Sequence, residues 1–127
     1  MCFVLHRLTK DFLNEQNLLK EIRANPHVVT VPRLPYFEFI KILSGSEFIA
    51  TDGGSNQEEA YYLGKPCLIL RNVTERVEGL GENALLAKGS NETMVNFVKN
   101  YKKYKRKSLI SSASPSKIIV DFLTETN

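Results

Sequence analysis

The chain reads as an α/β protein, a three-layer Rossmann-like parallel sheet with flanking helices, and two observations predict it. Short apolar, strand-like runs alternate along the chain with segments of helical period, the pattern of βαβ units. One of these runs, Phe48-Ile49-Ala50, enters a double-glycine turn at Gly53-Gly54, and a helix-like segment leaves it. A parallel sheet presents backbone N–H groups and a helix N-terminus to a phosphate in this way.

Taken in order, Cys2-Phe3-Val4-Leu5 reads as a buried strand. Leu13, Leu18, Leu19 and Ile22 are spaced for one amphipathic helix, ending before Asn25-Pro26. His27 to Val31 is β-branched and reads as a second strand, stopped by Pro32. Tyr36 to Leu43 is a short helix carrying Phe37, Phe39, Ile40 and Leu43. Glu47 to Ala50 is a third strand, and Ser55 to Leu63 a helix with Gly64 as its C-cap and Pro66 as its stop. Cys67-Leu68-Ile69-Leu70 is a fourth strand and Ala84 to Ala87 a short fifth. Asn91 to Tyr104 reads as helical, with Met94, Val95, Phe97 and Val98 on or near one face. Pro115 opens a last helix, Ser116 to Thr124. With no internal repeat and no flexible linker, residues 1–127 are expected to form a single domain.

Composition narrows the function classes. Of 127 residues, 43% are hydrophobic and 24% charged, as in ordinary globular proteins, and no apolar run approaches membrane-spanning length. Met1 to Leu5 is too short for a signal-peptide core, so a reducing cytoplasm and no membrane association are expected. Cys2 and Cys67 form no metal-binding pair, and Cys67, within an apolar run, reads as a buried small hydrophobe. The net charge of +3 is local: Lys99 to Lys107 carries six basic residues and no acid, while the rest of the chain holds 11 basic and 14 acidic residues. The cluster reads as a solvated helix end or loop, not a broad nucleic-acid footprint, although Tyr101 and Tyr104 within it keep an RNA or anionic-membrane reading in view.

The chemistry concentrates at Thr51-Asp52-Gly53-Gly54-Ser55-Asn56-Gln57-Glu58-Glu59-Ala60. Gly53 and Gly54 lack Cβ, so the backbone is expected to turn sharply there and to approach a pyrophosphate closely. Ser55-x-x-Glu58 has the form of a capping box, and the Ser55 hydroxyl is equally suited to a ligand; both roles stay open. Glu58 and Glu59 point about 100° apart on a helix, so they cannot do the same thing. Glu59 is left to face a cleft, as an acceptor suited to a cis-diol or as a solvated first-turn acid. Arg71 and Arg76 follow the fourth strand at its C-terminal edge, where open α/β sheets bind ligands and where guanidinium groups suit phosphate oxygens. His6 ends the first strand, where it either hydrogen-bonds substrate or is structural.

The stretch from Thr51 to Ala60 resembles the Thr-Asp-Ser-Gly-Gly-x-Gln-Glu-Glu-Ala signature of the UDP-N-acetylglucosamine 2-epimerases. Val4-Leu5-His6 is similar to that family's strand ending in Pro-x-His, and Leu34-Pro35-Tyr36-Phe37-Glu38-Phe39 to its Leu-x-Tyr-x-x-Phe segment. Leu63-Gly64-Lys65-Pro66 and Leu70-Arg71-Asn72-Val73-Thr74-Glu75-Arg76 are similar to its Leu-Gly-Lys-Pro and Arg-Asp-x-Thr-Glu-Arg-Pro-Glu motifs, with Val77 in place of the proline. Together these motifs cover nearly the whole chain in the family's order.

The resemblance implies an incomplete C-terminal, UDP-binding domain of a glycosyltransferase-B-like fold. It lacks the N-terminal domain, which holds the family's main acid/base carboxylates, and the first strand and helix of the C-terminal one. That strand sits mid-sheet in a doubly wound order, so different strand pairing is expected here. For the intact protein it implies a homodimer that interconverts UDP-N-acetylglucosamine and UDP-N-acetylmannosamine by UDP elimination and re-addition. The alternatives are hydrolysis to free N-acetylmannosamine and a non-catalytic UDP-sugar-binding remnant. No cofactor, metal or nicotinamide is implied. By the same resemblance Gly53, Gly54 and Ser55 meet the nucleotide, Glu59 the ribose hydroxyls and Arg76 the diphosphate and sugar; Phe39 matches a residue near the uracil, with plain core packing as its other reading. Arg71 orders its loop, and His6 is the one candidate for a catalytic role.

Overall fold

The computed structural model describes residues 1–110 and 115–125. The chain divides into two compact units, Met1–Ile42 and Leu43–Asn127. Every strand pairing in both is parallel, as the alternation of strands and helices predicts. The five strands among the described residues fall into two sheets.

In the first unit β1 (Cys2–Leu5) pairs with β2 (Val29–Pro32), Cys2 opposite Val29 and Leu5 opposite Pro32. The crossover holds two helices where the apolar spacing predicts one: α1 (Arg7–Glu15) and α2 (Leu18–Ala24). Asn17 makes the break. It takes φ 58°, the left-handed region that asparagine tolerates better than most residues, and this turns the chain between Leu13 and Leu18. Leu19 is the buried anchor of α2. Helix α3 (Tyr36–Gly45) closes this unit and leads into the next.

The second unit is a three-stranded sheet in the order β3-β4-β5, formed by Ile49–Thr51, Cys67–Ile69 and Ala84–Leu86. Helix α4 (Gly54–Leu63) connects β3 to β4. Helix α5 (Asn91–Asn100), a 3₁₀ turn (Tyr101–Tyr104) and α6 (Pro115–Glu125) follow. The central strand β4 is buried throughout, which is why it reads as an unbroken apolar run. Burial pushes the Cys67 thiol up to about 12, leaving it a small apolar filler.

The core beneath β4 joins Leu68, Ala87 and Phe97, with Phe48, Leu85, Met94, Tyr101 and Tyr104 packed against it. The inward stripe of the last helical stretch is therefore Met94, Phe97, Tyr101 and Tyr104, a spacing of three and four. Val95 and Val98, expected near that face, are about half exposed, because each lies roughly 100° from Met94 or Phe97. The Phe97 ring centre lies 5.1 Å from that of Tyr104 and 5.7 Å from that of Phe48.

Helix α4 ends as its sequence predicts. Gly64 takes φ 66°, its N–H bonds to Tyr61 O and the Lys65 N–H reaches back to Ala60 O. The chain after the 3₁₀ turn then straps across this end: Arg106 N–H donates to Gly64 O at 3.0 Å and Leu109 N–H to Tyr62 O at 2.8 Å. Among the described residues no helix is long and apolar enough to cross a membrane.

Candidate functional site

Thr51 organises the turn from β3 into α4. Its hydroxyl oxygen accepts from the Gly53 N–H at 3.0 Å and from Asn56 Nδ2 at 2.8 Å, folding the chain as Ser/Thr turns do. The first bond of the helical ladder runs from Gln57 N–H to Gly53 O. The N–H groups of Gly54, Ser55 and Asn56 precede it, so they have no intrahelical partner and lie at the positive end of the helix dipole.

Two expectations about this turn are corrected. Neither Gly53 nor Gly54 has a positive φ, so glycine is not required there for a sharp turn. Gly54 supplies space instead: a Cβ on it would stand 2.7 Å from Glu75 Oε1 and 3.3 Å from Cγ and Nε of Arg76. The capping box also does not form. Helix α4 begins at Gly54, one residue earlier than read, which puts Ser55 inside the first turn, and Gly53 is an N-cap with no side-chain bond. Glu58 turns to Arg76.

The loop after β4 brings the charges. Arg71 Nη1 pairs with Glu75 Oε2 at 2.9 Å, Arg76 Nη1 with Glu58 Oε1 at 2.7 Å, and Arg76 Nε stands 4.0 Å from Glu75 Oε1. A hydrogen bond from its own backbone N–H, helped by Arg71 and Arg76, holds the exposed Glu75 carboxyl below its ordinary range. Glu59, on the same helix, behaves oppositely. Burial, then the charge of Glu58, pushes its carboxyl up, and its Oε2 is buried with no hydrogen-bond partner among the described residues. Such an oxygen has a lone pair to spare for a donor brought by a ligand.

The structure thus brings Gly54, Glu58, Glu75 and Arg76 together, ties Arg71 in through Glu75, and sets Ser55 and Glu59 on the first turns of the same helix. His6 and Phe39 belong to the first unit. His6 is exposed at the N-cap position of α1 with no side-chain cap bond, and Phe39 is partly buried on α3. Thr51, Gln57 and Thr74 were missed by sequence reasoning. Gln57 left one signal, being polar yet one turn from Ala60 on the helix's inward face, and it is fully buried. A cleft of about 250 Å³ lies at the other end of α4, lined by Tyr61, Glu82, Asn83, Arg106, Lys107 and Leu109, none of which belongs to the site. Among the described residues no group of three or more histidine, cysteine, aspartate or glutamate side chains is placed to hold a metal.

The turn after β3 and the loop after β4 stand at the carboxyl ends of two neighbouring parallel strands, where Rossmann-like proteins bind their ligands. The class is therefore a Rossmann-like α/β protein with an arginine-flanked helix N-terminus. Within that class the chain belongs to the UDP-N-acetylglucosamine 2-epimerase family, whose model matches residues 2–117. It is 35% identical over 108 residues to the UDP-N-acetylglucosamine 2-epimerase of Methanocaldococcus jannaschii, covering 79% of this chain and 30% of that protein. To that of Methanococcus maripaludis it is 34% identical over 124 residues, covering 95% and 34%. The chain thus spans about a third of these curated relatives' length. The solved structure of the M. jannaschii enzyme superposes with a TM-score of 0.82 at 31% identity over 98% of this chain and 35% of its own. A second structure of that enzyme, in complex with UDP-GlcNAc and UDP, superposes with a TM-score of 0.77 at 31% identity and the same coverage. The glycosyltransferase-B-like fold expected from the motifs is the fold of these neighbours.

Proposed function

We propose that residues 1–127 belong to the UDP-binding C-terminal domain of a cytoplasmic, homodimeric UDP-N-acetylglucosamine 2-epimerase. The intact protein interconverts UDP-N-acetylglucosamine and UDP-N-acetylmannosamine. One observation carries the reading: the Arg76 guanidinium stands against Gly54, beside the unpaired N–H groups that open α4. The family membership and the M. jannaschii complex with UDP-GlcNAc and UDP support it.

In this reaction the C1–O bond to UDP breaks as a proton leaves C2. UDP departs as an anion, and its re-addition follows protonation on the other face. The acid/base groups belong to the N-terminal domain. This chain's part is to hold the leaving group: Arg76 and the α4 N–H groups take the charge growing on the diphosphate, and Glu59 accepts from the ribose hydroxyls. Arg71 keeps the loop in place through Glu75. For Phe39 beside the uracil and His6 beside the substrate, the support is the motif match alone.

Titrating UDP into the ¹⁵N-labelled chain tests this. The expected result is amide shifts at Gly53 to Gln57 and in the loop from Arg71 to Glu78; shifts confined to other residues would refute the site. Incubated with UDP-N-acetylglucosamine, the chain alone should give no product above a protein-free control.

A further inference from the structure

We propose that Gln57 and Thr74 are positioning residues for Arg76, an inference that rests on the UDP site above. The Gln57 side chain is fully buried, and among the described residues every hydrogen bond it makes goes to the loop. Its Nε2 donates to Arg76 O at 3.2 Å and to Glu78 O at 2.8 Å, and its Oε1 accepts from the Thr74 hydroxyl at 2.8 Å. Thr74 Oγ1 in turn accepts from the Arg76 N–H at 3.2 Å. Both backbone polar groups of Arg76 are thereby held, one by each partner, and the loop is wrapped around a single buried amide.

The amide stands on α4 one turn in from Gly54, so one rigid helix carries both the phosphate-facing N–H groups and the post that fixes the arginine. The two ion pairs to Arg76 do not do this. They hold the side chain, they are partly exposed, and an anionic ligand competes with them for the guanidinium. The bonds from Gln57 and Thr74 hold the Arg76 backbone, whichever carboxylate the guanidinium faces. A buried amide with both donors and its acceptor used also has no low-cost alternative conformation, because any rotation strands a polar atom.

The test uses the full chain and avoids emptying the buried position. Thr74→Val keeps the shape and removes the hydroxyl; Thr74→Ser restores it. Thr74→Val, which removes both of the hydroxyl's bonds, is expected to weaken UDP binding at least about threefold to tenfold, and Thr74→Ser to stay near wild type. In an Arg76→Ala background, Thr74→Val should change affinity by less than roughly twofold, since the hydroxyl acts through the arginine. An equal loss in both backgrounds would overturn the proposal, because a purely structural role acts with or without Arg76. Hydrogen exchange of the ligand-free chain supplies a readout independent of UDP. Thr74→Val should speed exchange at the Arg76 amide and leave β4 protected. Unchanged Arg76 exchange overturns the positioning role. Absence of UDP binding in the wild type, with the exchange result as expected, overturns the UDP reading alone.

Discussion

Arg76 Nη1 lies 2.7 Å from Glu58 Oε1, an ion pair that ties the loop after β4 to the first turns of α4 across 18 positions of sequence. Half-exposed pairs contribute little to stability, about 0–1 kcal/mol. The pair orients the guanidinium over the helix N-terminus more than it holds the fold.

Arg76→Ala is therefore expected to separate binding from stability. Losing one hydrogen bond to a charged group costs about 1.5–3 kcal/mol, roughly tenfold or more in Kd for UDP. The unfolding free energy should fall by less than about 1 kcal/mol. Calorimetric titration and urea denaturation measure the two; unchanged Kd would make Arg76 an ordinary surface residue.

Two glycine-to-alanine changes on the same helix should do opposite things. At Gly54 the added methyl meets the carboxylate end of Glu75 and, less closely, Cγ and Nε of the Arg76 side chain. Folding stability should hold within about 1 kcal/mol, while UDP affinity falls as the loop is pushed from the turn. At Gly64 the backbone has φ 66° and the methyl would run into the Arg106 backbone. Gly64→Ala should cost at least the left-handed penalty of about 1–2 kcal/mol and leave UDP affinity near that of the wild type. Chemical denaturation paired with UDP titration checks both.

Glu59 predicts a stability gain bought with function. Its folded-state carboxyl is raised, so the folded chain favours the proton. That advantage is complete below the ordinary glutamate value and is lost as pH rises through the folded one. Glu59→Gln, neutral at every pH, should raise the melting temperature at pH 7 and change it little below about pH 4. It should also weaken UDP binding about tenfold. Glu75, held low by its own backbone N–H and two arginines, works the other way: its contribution is present above the ordinary value and lost as pH falls. Melting curves from pH 3 to 8 distinguish the two glutamates.

The basic stretch should behave as a solvated surface on an aromatic anchor. Tyr104 packs on Phe97 and Tyr101 on Phe48, so both rings face the core and are poorly placed to stack on bases. Tyr104→Ala should cost about 2–4 kcal/mol, somewhat below a full aromatic truncation. Replacing Lys102, Lys103 and Lys105 by Gln should change stability by less than about 0.5 kcal/mol. A low-micromolar, salt-sensitive Kd for RNA would contradict this reading.

Much of the fold and part of the site are legible in the residues themselves, because the forces that write them are local. Gly64 and Pro66 end α4 through backbone conformation alone, the unbroken apolar run of β4 announces a strand covered on both faces, and the motifs from Thr51 to Arg76 carry the family. Asn17 shows where local reading fails: the apolar spacing continues across it, and a single left-handed residue divides the helix. Three further decisions belong to tertiary structure. Glu58 is no capping residue because the helix already starts at Gly54, and it turns instead to Arg76, which arrives from another loop with a full opposite charge. Gln57 is buried because three loop residues, remote in sequence, satisfy all its polar atoms. Tyr101 and Tyr104 turn inward because Phe48 and Phe97 form a surface for them. Each outcome depends on a partner 7 to 53 positions away, and sequence periodicity registers which face a residue occupies, not what the rest of the chain folds against it.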